Sequence, residues 1–251
     1  MIIDSLPALE QSGWIFLAFA LTVAGLTRGF AGFGAGMIMM PLAATQVDPK
    51  IVAPTFLLLD SLVTLPMVPG AIGKCQRRSV APAIIGAGLT VFLGVYLLAH
   101  LDQVVVRWCL SLIVLALLAL IASGWRFKGE PTALPSLGVG MTAGVLGGLA
   151  QMSGPPVVSF WMSGPQPAMI IRANLITFFA FSSLFSYSAF WWYGLFSLKI
   201  FALALVAAPV YALALKVGSW AFSKASGVFY RRIAYLLILA AALTSLPIFD
   251  L

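Results

Sequence analysis

Apolar runs of about 20 residues recur along almost the whole chain, and they constrain the fold more than any other feature. A helix needs roughly 20 apolar residues to cross the hydrocarbon core of a bilayer. Hydrophobic residues make up 62% of the 251 residues and charged residues only 8%, whereas a typical soluble domain carries about 25% charged residues. The sequence therefore predicts an all-α polytopic membrane protein without a soluble domain between its segments.

The net charge and the two cysteines bear on which partners and cofactors the protein is expected to have. A net charge of +7 in such a chain indicates basic loops that face the cytoplasm rather than a nucleic-acid partner. Cys75 and Cys109 fall in different segments, so neither a disulfide framework nor a metal site is predicted, and no cofactor is expected. We expect a multi-pass protein of the cell membrane, surrounded by lipid, and the sequence leaves a homo-oligomer open.

The chain contains an internal repeat. A shift of 119 residues places Gly25 on Gly144 and Gly29 on Gly148, and a shift of 124 places Gly94 on Gly218. Two homologous halves are predicted, an N-terminal transmembrane repeat at 1–125 and a C-terminal one at 126–251, which together form one transport domain. Each half has four segments, near residues 14–45, 51–68, 80–99 and 104–123, then 137–162, 169–192, 198–222 and 233–247.

The distribution of cations predicts that the two halves are inverted relative to each other. Eight plain crossings would leave the cations almost evenly divided between the two sides. If segments one and five instead enter and leave on the same side, most cations share one side: Lys74, Arg77, Arg78, Arg126, Lys128, Lys224, Arg231 and Arg232. The positive-inside rule then places loops 71–79, 124–130 and 223–232 in the cytoplasm. Segments one and five are therefore predicted to be broken or re-entrant, with Gly-rich tips.

The two glycine-rich tips are the candidate anion-binding elements. A half-helix that begins inside the membrane points free N–H groups and the positive end of its dipole inward, which favours an anion. In the first tip the candidates are Gly32, Gly34 and Gly36. In the second, "QMSGPPVV", they are Gln151, Ser153 and Gly154, and Ser153 is a candidate N-cap before two prolines.

Four further polar residues of the predicted spans complete the candidate site. Arg28 has a forked donor set that suits sulfite, sulfonate or carboxylate oxygens, and the alternative is a cation that pairs with Asp60 or snorkels to a helix end. Asp60, the one acid in the middle of a predicted span, is a candidate proton carrier, ion-pair partner or packing residue. Arg172 and Asn174 either line the anion path or, for Arg172, anchor a helix end.

The segments that carry these motifs resemble a known family. The stretches "GLTRGFAGFGAGMIMMPL" and "AGVLGGLAQMSGPPVVSFWM", followed by "RANLITFF", resemble the TauE/SafE sulfite-exporter family over nearly the whole chain. The resemblance implies a transporter of sulfite, sulfonates or related small organic anions. The first half carries "FGAGM" where the second has Ser-Gly-Pro-Pro, so the two tips are not chemically equivalent.

These observations favour a secondary transporter of a small anion that works by alternating access and is coupled to protons or to the membrane potential. An anion channel is the alternative, since inward helix N-termini would also serve a selectivity filter. A membrane-embedded enzyme is disfavoured, because the sequence has a single histidine and no metal-ligand motif such as HExxH.

Overall fold

The computed structural model describes residues 10–31, 34–124, 127, 131–162, 166–222 and 227–248. Side chains are described for these residues except 30, 31, 168, 222 and 227–235. The predicted site residue Gly32 therefore lies outside the described residues. So do most of loop 124–130 and the side chains of loop 223–232.

The regular secondary structure of the described residues is entirely helical, as predicted, and these residues contain no strand. The order is α1 (Gln11–Ala31), α2 (Ala35–Ala43), α3 (Pro49–Thr64), a 3₁₀ turn (Leu65–Met67), α4 (Val68–Ile72), α5 (Arg77–His100), α6 (Gln103–Ala122), α7 (Ala133–Ala150), α8 (Gly154–Trp161), α9 (Ala168–Trp192), α10 (Leu198–Phe222) and α11 (Gly227–Thr244).

Within the described residues, seven helical stretches have the length and apolar composition of membrane spans. They are α1, α3 together with α4, α5, α6, α7, α9 and α10, and they match seven of the eight predicted segments. The eighth segment corresponds to α11. The structure thus confirms an all-helical, multi-pass architecture.

Segments one and five are each broken into a long and a short helix. The first break lies between Ala31, the last residue of α1, and Ala35, the first residue of α2, and the second break (residues 151–153) separates α7 from α8. The arms are unequal, because α1 has 21 residues and α2 has 9, while α7 has 18 and α8 has 8. At about 1.5 Å per residue, the short arms are roughly 12–14 Å long.

The helix boundaries recur at the two shifts found in the sequence. With a shift of 119, the last residue of α1 matches that of α7, and the first residues of α2 and α3 match those of α8 and α9. With a shift of 124, the first residue of α6 matches that of α11. The division into repeats stays a prediction, which these matched boundaries support.

Contacts divide the chain into two compact units that do not coincide with the two halves. Unit 1 comprises Met1–Leu59, Leu101–Ala122 and Phe196–Leu251, and unit 2 comprises Asp60–His100 and Ser123–Leu195. Each unit therefore draws its helices from both halves of the chain.

In unit 2, α7 and α8 form a hairpin. Ser79, in the first turn of α5, shares a hydrogen bond with Ser136 at the start of α7 and accepts one from Trp161 at the end of α8, both at 2.8 Å. The backbone N–H of Gln76, just before α5, donates to Asn174 near the start of α9. Segment five thus begins and ends at the same end of unit 2, where α9 also starts.

Glycines form the closest helix contact in each unit. In unit 1, α1 packs on α10, and a methyl group added at Gly29 would overlap the carbonyl of Leu215. In unit 2, α7 packs on α5, and a methyl group added at Gly148 would overlap the carbonyl of Val91. Such contacts hold membrane helices together through close backbone approach. Gly29 and Gly148, which precede the two breaks, therefore serve helix packing.

Candidate functional site

The second break begins at a residue with unusual backbone geometry. Gln151 has φ 54° and ψ 33° and is the one non-glycine residue with positive φ among the described residues. Its side-chain Nε2 donates to the Gly147 carbonyl at 2.7 Å, and its backbone N–H donates to the same oxygen at 3.1 Å. A left-handed conformation at such a residue costs free energy and clusters at functional sites. The amide that the sequence predicted to bind an anion thus also caps α7.

Ser153 lies at the N-cap of α8, as predicted, but its hydroxyl makes no capping hydrogen bond there. Its backbone is helical, with φ −67° and ψ −17°, and its side chain is half-buried beside Gly147. A hydroxyl that does not cap the helix is available to another acceptor or donor. Because the Ser153 hydroxyl is not used to cap α8, Ser153 remains a candidate ligand.

The prolines of α8 limit what its N-terminus can offer. A helix normally begins with four N–H groups that have no partner within the helix. Pro155 and Pro156 have no N–H, so only the N–H groups of Ser153 and Gly154 remain of these four. The second break therefore relies on side chains, the Ser153 hydroxyl and the Gln151 amide, more than on backbone donors.

The first break relies instead on its backbone and on one cation. Gly34, with φ 88°, is the N-cap of α2, and Met37 closes the first turn by donating to the Gly34 carbonyl at 3.0 Å. The N–H groups of Gly34, Ala35 and Gly36 have no acceptor within α2 itself. Gly36, like every other residue of α2, is buried.

Arg28 lies in the last turn of α1 and is half-buried. The partial negative charge at the C-terminal end of a helix stabilises a cation at this position. The shift of 119 places Arg28 opposite Gly147, so the second broken segment has no matching cation. Arg28 belongs to unit 1 and Asp60 to unit 2, and their predicted pairing stays a prediction.

Two of the predicted residues lie at the other end of unit 2, away from the second break. Asn174 is fully buried, and its Oδ1 accepts the Gln76 N–H at 2.8 Å while its Nδ2 lies 3.5 Å from the Gln76 Oε1. Asn174 thus fixes the start of α5. Arg172, two residues earlier, is exposed. Their predicted roles in the anion path stay predictions.

Asp60 lies near two other polar side chains, Ser61 and Tyr187, and the sequence did not predict this cluster. In unit 2, the Tyr187 side chain of α9 lies close enough to the Ser61 and Asp60 side chains of α3 to interact with both. The sequence assigned Tyr187 to an aromatic belt, because it lies in the run "YSAFWWYGLF". Nothing in the local pattern pairs α3 with α9, so this cluster was not predictable from the sequence.

The described residues contain no group of three or more His, Cys, Asp or Glu side chains with the arrangement of a metal site. The donors in both breaks are instead amides, a hydroxyl and backbone N–H groups, which suit an oxyanion.

Comparisons with known proteins agree with this chemistry. Residues 17–245 match the family described as sulfite exporter TauE/SafE. The chain is 30% identical over 199 residues to a protein from Cupriavidus necator described as a probable sulfite/organosulfonate exporter TauE, with 74% of this chain and 75% of that protein covered. No solved structure matches the chain significantly.

Proposed function

Because the chain belongs to the TauE/SafE sulfite exporter family, we propose that it is a secondary transporter of sulfite, an organosulfonate or a related small anion. A family of exporters is a family of transporters, which argues against an enzyme. The Cupriavidus protein, described as a probable exporter of sulfite or organosulfonates, supports this substrate class. The direction of transport in the proposal is export.

The observation that carries the proposal is the second break. Gln151 is held in a strained conformation beside Ser153, whose hydroxyl does not cap α8. Because backbone strain costs free energy, its presence at this tip supports a role in binding. We assign the Gln151 amide, the Ser153 hydroxyl and the Gly154 N–H to the oxygens of a sulfite or sulfonate group.

The first break supplies a different set of donors in the proposal. The N–H groups of Gly34 and Gly36 begin α2, and the Arg28 guanidinium lies about one to two turns earlier in the chain. A guanidinium can bind two oxygens of one sulfite or sulfonate group, which an ammonium cannot do with the same geometry. Arg28 is therefore proposed to bind the anion and to select its charge.

The transport cycle is proposed to proceed by alternating access, with the two halves inverted and coupled to protons or to the membrane potential. Asp60 is the proposed coupling residue, and Tyr187 and Ser61 extend its polar surroundings. Protonation of Asp60 would remove a charge from the membrane-spanning part of unit 2 and so change the free energy of one state relative to another.

Proteoliposomes loaded with sulfite test this proposal. We expect sulfite to move against its concentration gradient when a proton gradient or a membrane potential is imposed. Movement that only follows the sulfite gradient would identify the alternative, an anion channel. Absence of flux for sulfite, thiosulfate, alkyl sulfonates and carboxylates alike would contradict both.

Substitutions at the two breaks test the assigned ligands. Arg28→Ala removes a charge-assisted contact worth about 1.5–3 kcal/mol, so we expect the apparent affinity for sulfite to fall roughly 10- to 100-fold. Ser153→Ala removes one hydrogen bond from an uncharged donor to the anion, so we expect a loss at the lower end of this range, roughly 10-fold. Arg28→Lys should lose less affinity than Arg28→Ala, because lysine keeps the positive charge but cannot bind two oxygens with the geometry of a guanidinium.

The matched control for these variants is Ser188→Ala. Ser188 is an exposed serine of α9 whose hydroxyl bonds within its own helix, to the Leu184 carbonyl. We expect this variant to transport like the wild type. Wild-type affinity in Arg28→Ala, with normal insertion into the membrane, would remove Arg28 from the site.

A further inference from the structure

We propose that Trp161 is a positioning residue for the second break, which it orients from the far end of α8 through an ordered chain of hydrogen bonds. This inference deepens the proposed function, because it takes the second break as part of the substrate site. It concerns three buried residues to which the sequence patterns assigned no role: Trp161, Ser79 and Ser136.

The direction of every hydrogen bond in this chain follows from the donors and acceptors. The indole Nε1 of Trp161 can only donate, and it lies 2.8 Å from the Ser79 Oγ. The Thr132 carbonyl can only accept, and it lies 2.6 Å from the Ser136 Oγ. Ser136 has therefore used its one proton, so Ser79 must donate to Ser136 across their 2.8 Å contact.

The chain therefore has a single arrangement, and water has no access to replace it. Trp161 is 1% exposed, Ser79 2% and Ser136 0%. Each hydroxyl donates once and accepts once, so the loss of one member leaves its neighbour with one hydrogen bond too few in an apolar core. Such an unsatisfied buried group is costly, and more so where the surroundings have a low dielectric.

The contacts of α8 in the apolar core do not fix its orientation in the same way. Val157, Phe160 and Trp161 pack in a core cluster with Phe178 of α9, and the Trp161 and Phe178 rings meet at 5.8 Å. Apolar packing is not directional, whereas the indole N–H must point at Ser79. The hydrogen bond thus sets the rotation of α8 about its axis.

This rotation is transmitted to the second break because α8 is short. The helix has eight residues, Ser153 immediately precedes it and Trp161 ends it. About two turns of helix link the two positions, so a rotation at Trp161 displaces the Ser153 hydroxyl and the Gly154 N–H together. Small displacements of a binding group can weaken function by orders of magnitude.

The decisive variant is Trp161→Phe, which keeps a six-membered aromatic ring but removes the pyrrole part of the indole with its N–H and leaves a small cavity. We expect the sulfite concentration that gives half-maximal transport to rise roughly tenfold, with a smaller change in the maximal rate. Ser79→Ala should have a similar effect. The double variant should be no worse than the more affected single one, because both remove the same chain. Trp192→Phe, at a 76% exposed tryptophan, is the matched control.

A second measurement reports the position of the break without relying on transport. In a background with Cys75→Ser and Cys109→Ser, a Ser153→Cys variant is labelled with a small thiol reagent. We expect Trp161→Phe to change the labelling rate several-fold, whereas Trp192→Phe does not. Additive effects of Trp161→Phe and Ser79→Ala, or an unchanged labelling rate with unchanged affinity, would overturn the inference. A shifted labelling rate in a protein that transports none of the anions would uphold the positioning role and contradict the proposed function.

Discussion

The α1–α10 pair of unit 1 and the α7–α5 pair of unit 2 are built on the same contact. Gly29 meets Leu215 in one, and Gly148 meets Val91 in the other. The shift of 119 relates the two glycines, and the shift of 124 relates Leu215 to Val91. In both cases, the first segment of one half packs on the third segment of the other. The comparison shows that each of these helix pairs joins one helix from each half of the chain. Neither compact unit is therefore formed by one half alone.

The polar contacts of the two pairs differ although their backbones match. In unit 1, the Ser219 hydroxyl donates to the Gly29 carbonyl at 3.0 Å. In unit 2, the Thr90 hydroxyl donates to the Met141 carbonyl at 2.6 Å. The shift of 124 does not relate Ser219 to Thr90, so each pair has its own bond between helices. Glycine packing is thus the shared feature, and the polar bonds are local additions.

Alanine substitutions at the two glycines should have the largest effects. Gly29→Ala and Gly148→Ala each place a methyl group on a backbone carbonyl, so the paired helices must separate. We expect each to destabilise the protein by roughly 3 kcal/mol, seen as a melting temperature lower by roughly 5–10 °C in detergent. If the two pairs are equivalent, the two losses should agree.

Gly138→Ala is the matched control for this comparison. Gly138 lies on α7, and a methyl group added there would have no atom within 4 Å. We expect a neutral or slightly stabilising effect, because alanine favours a helix by up to about 1 kcal/mol over glycine. If Gly148→Ala lowers the melting temperature and Gly29→Ala does not, the α1–α10 contact contributes less to stability than the α7–α5 contact.

A smaller effect is expected at the start of the second segment in each half. Asn174 and Thr55 are related by the shift of 119 and are both buried. Asn174 bonds to Gln76 across 98 residues of sequence, whereas the Thr55 hydroxyl bonds to the Ile51 carbonyl of its own helix. Asn174→Ala should cost about 1–3 kcal/mol, because the Gln76 N–H loses its acceptor.

Thr55→Val is the counterpart of this variant and should cost less than about 1 kcal/mol, because the Ile51 carbonyl lies inside a helix and keeps its backbone donor. Chemical or thermal unfolding of both variants in the same detergent measures the difference. Equal losses would contradict the inference that Asn174 alone holds a distant helix end.

The fold was predictable to the extent that local pattern determines it. Runs of apolar residues located the helices, and the prolines after Ser153 located the start of α8. The role of Gly29 and Gly148 was not predictable, because a glycine in a break and a glycine in a helix contact look alike in sequence. The Trp161 chain was also not predictable, since it joins residues up to 82 positions apart.

The smallest expected effects are at the two breaks, where the residue with positive φ is a glycine in the first and a glutamine in the second. Gly34 and Gln151 both have positive φ, which costs an L-residue about 1–2 kcal/mol and costs glycine almost nothing. Gly34→Ala should therefore destabilise the protein by about 1 kcal/mol, although a methyl group there would meet only the Thr27 side chain at 3.9 Å.

Gln151→Gly should relieve the backbone strain at this position, which offsets the loss of the side-chain hydrogen bond to the Gly147 carbonyl. We therefore expect Gln151→Gly to be about 1 kcal/mol more stable than Gln151→Ala. The expected result is that Gln151→Gly keeps the melting temperature of the wild type but binds sulfite more weakly, which would separate the two roles of this side chain. Unchanged sulfite affinity in Gln151→Gly would instead assign the amide to helix capping alone and leave Ser153 as the side-chain ligand of the second break.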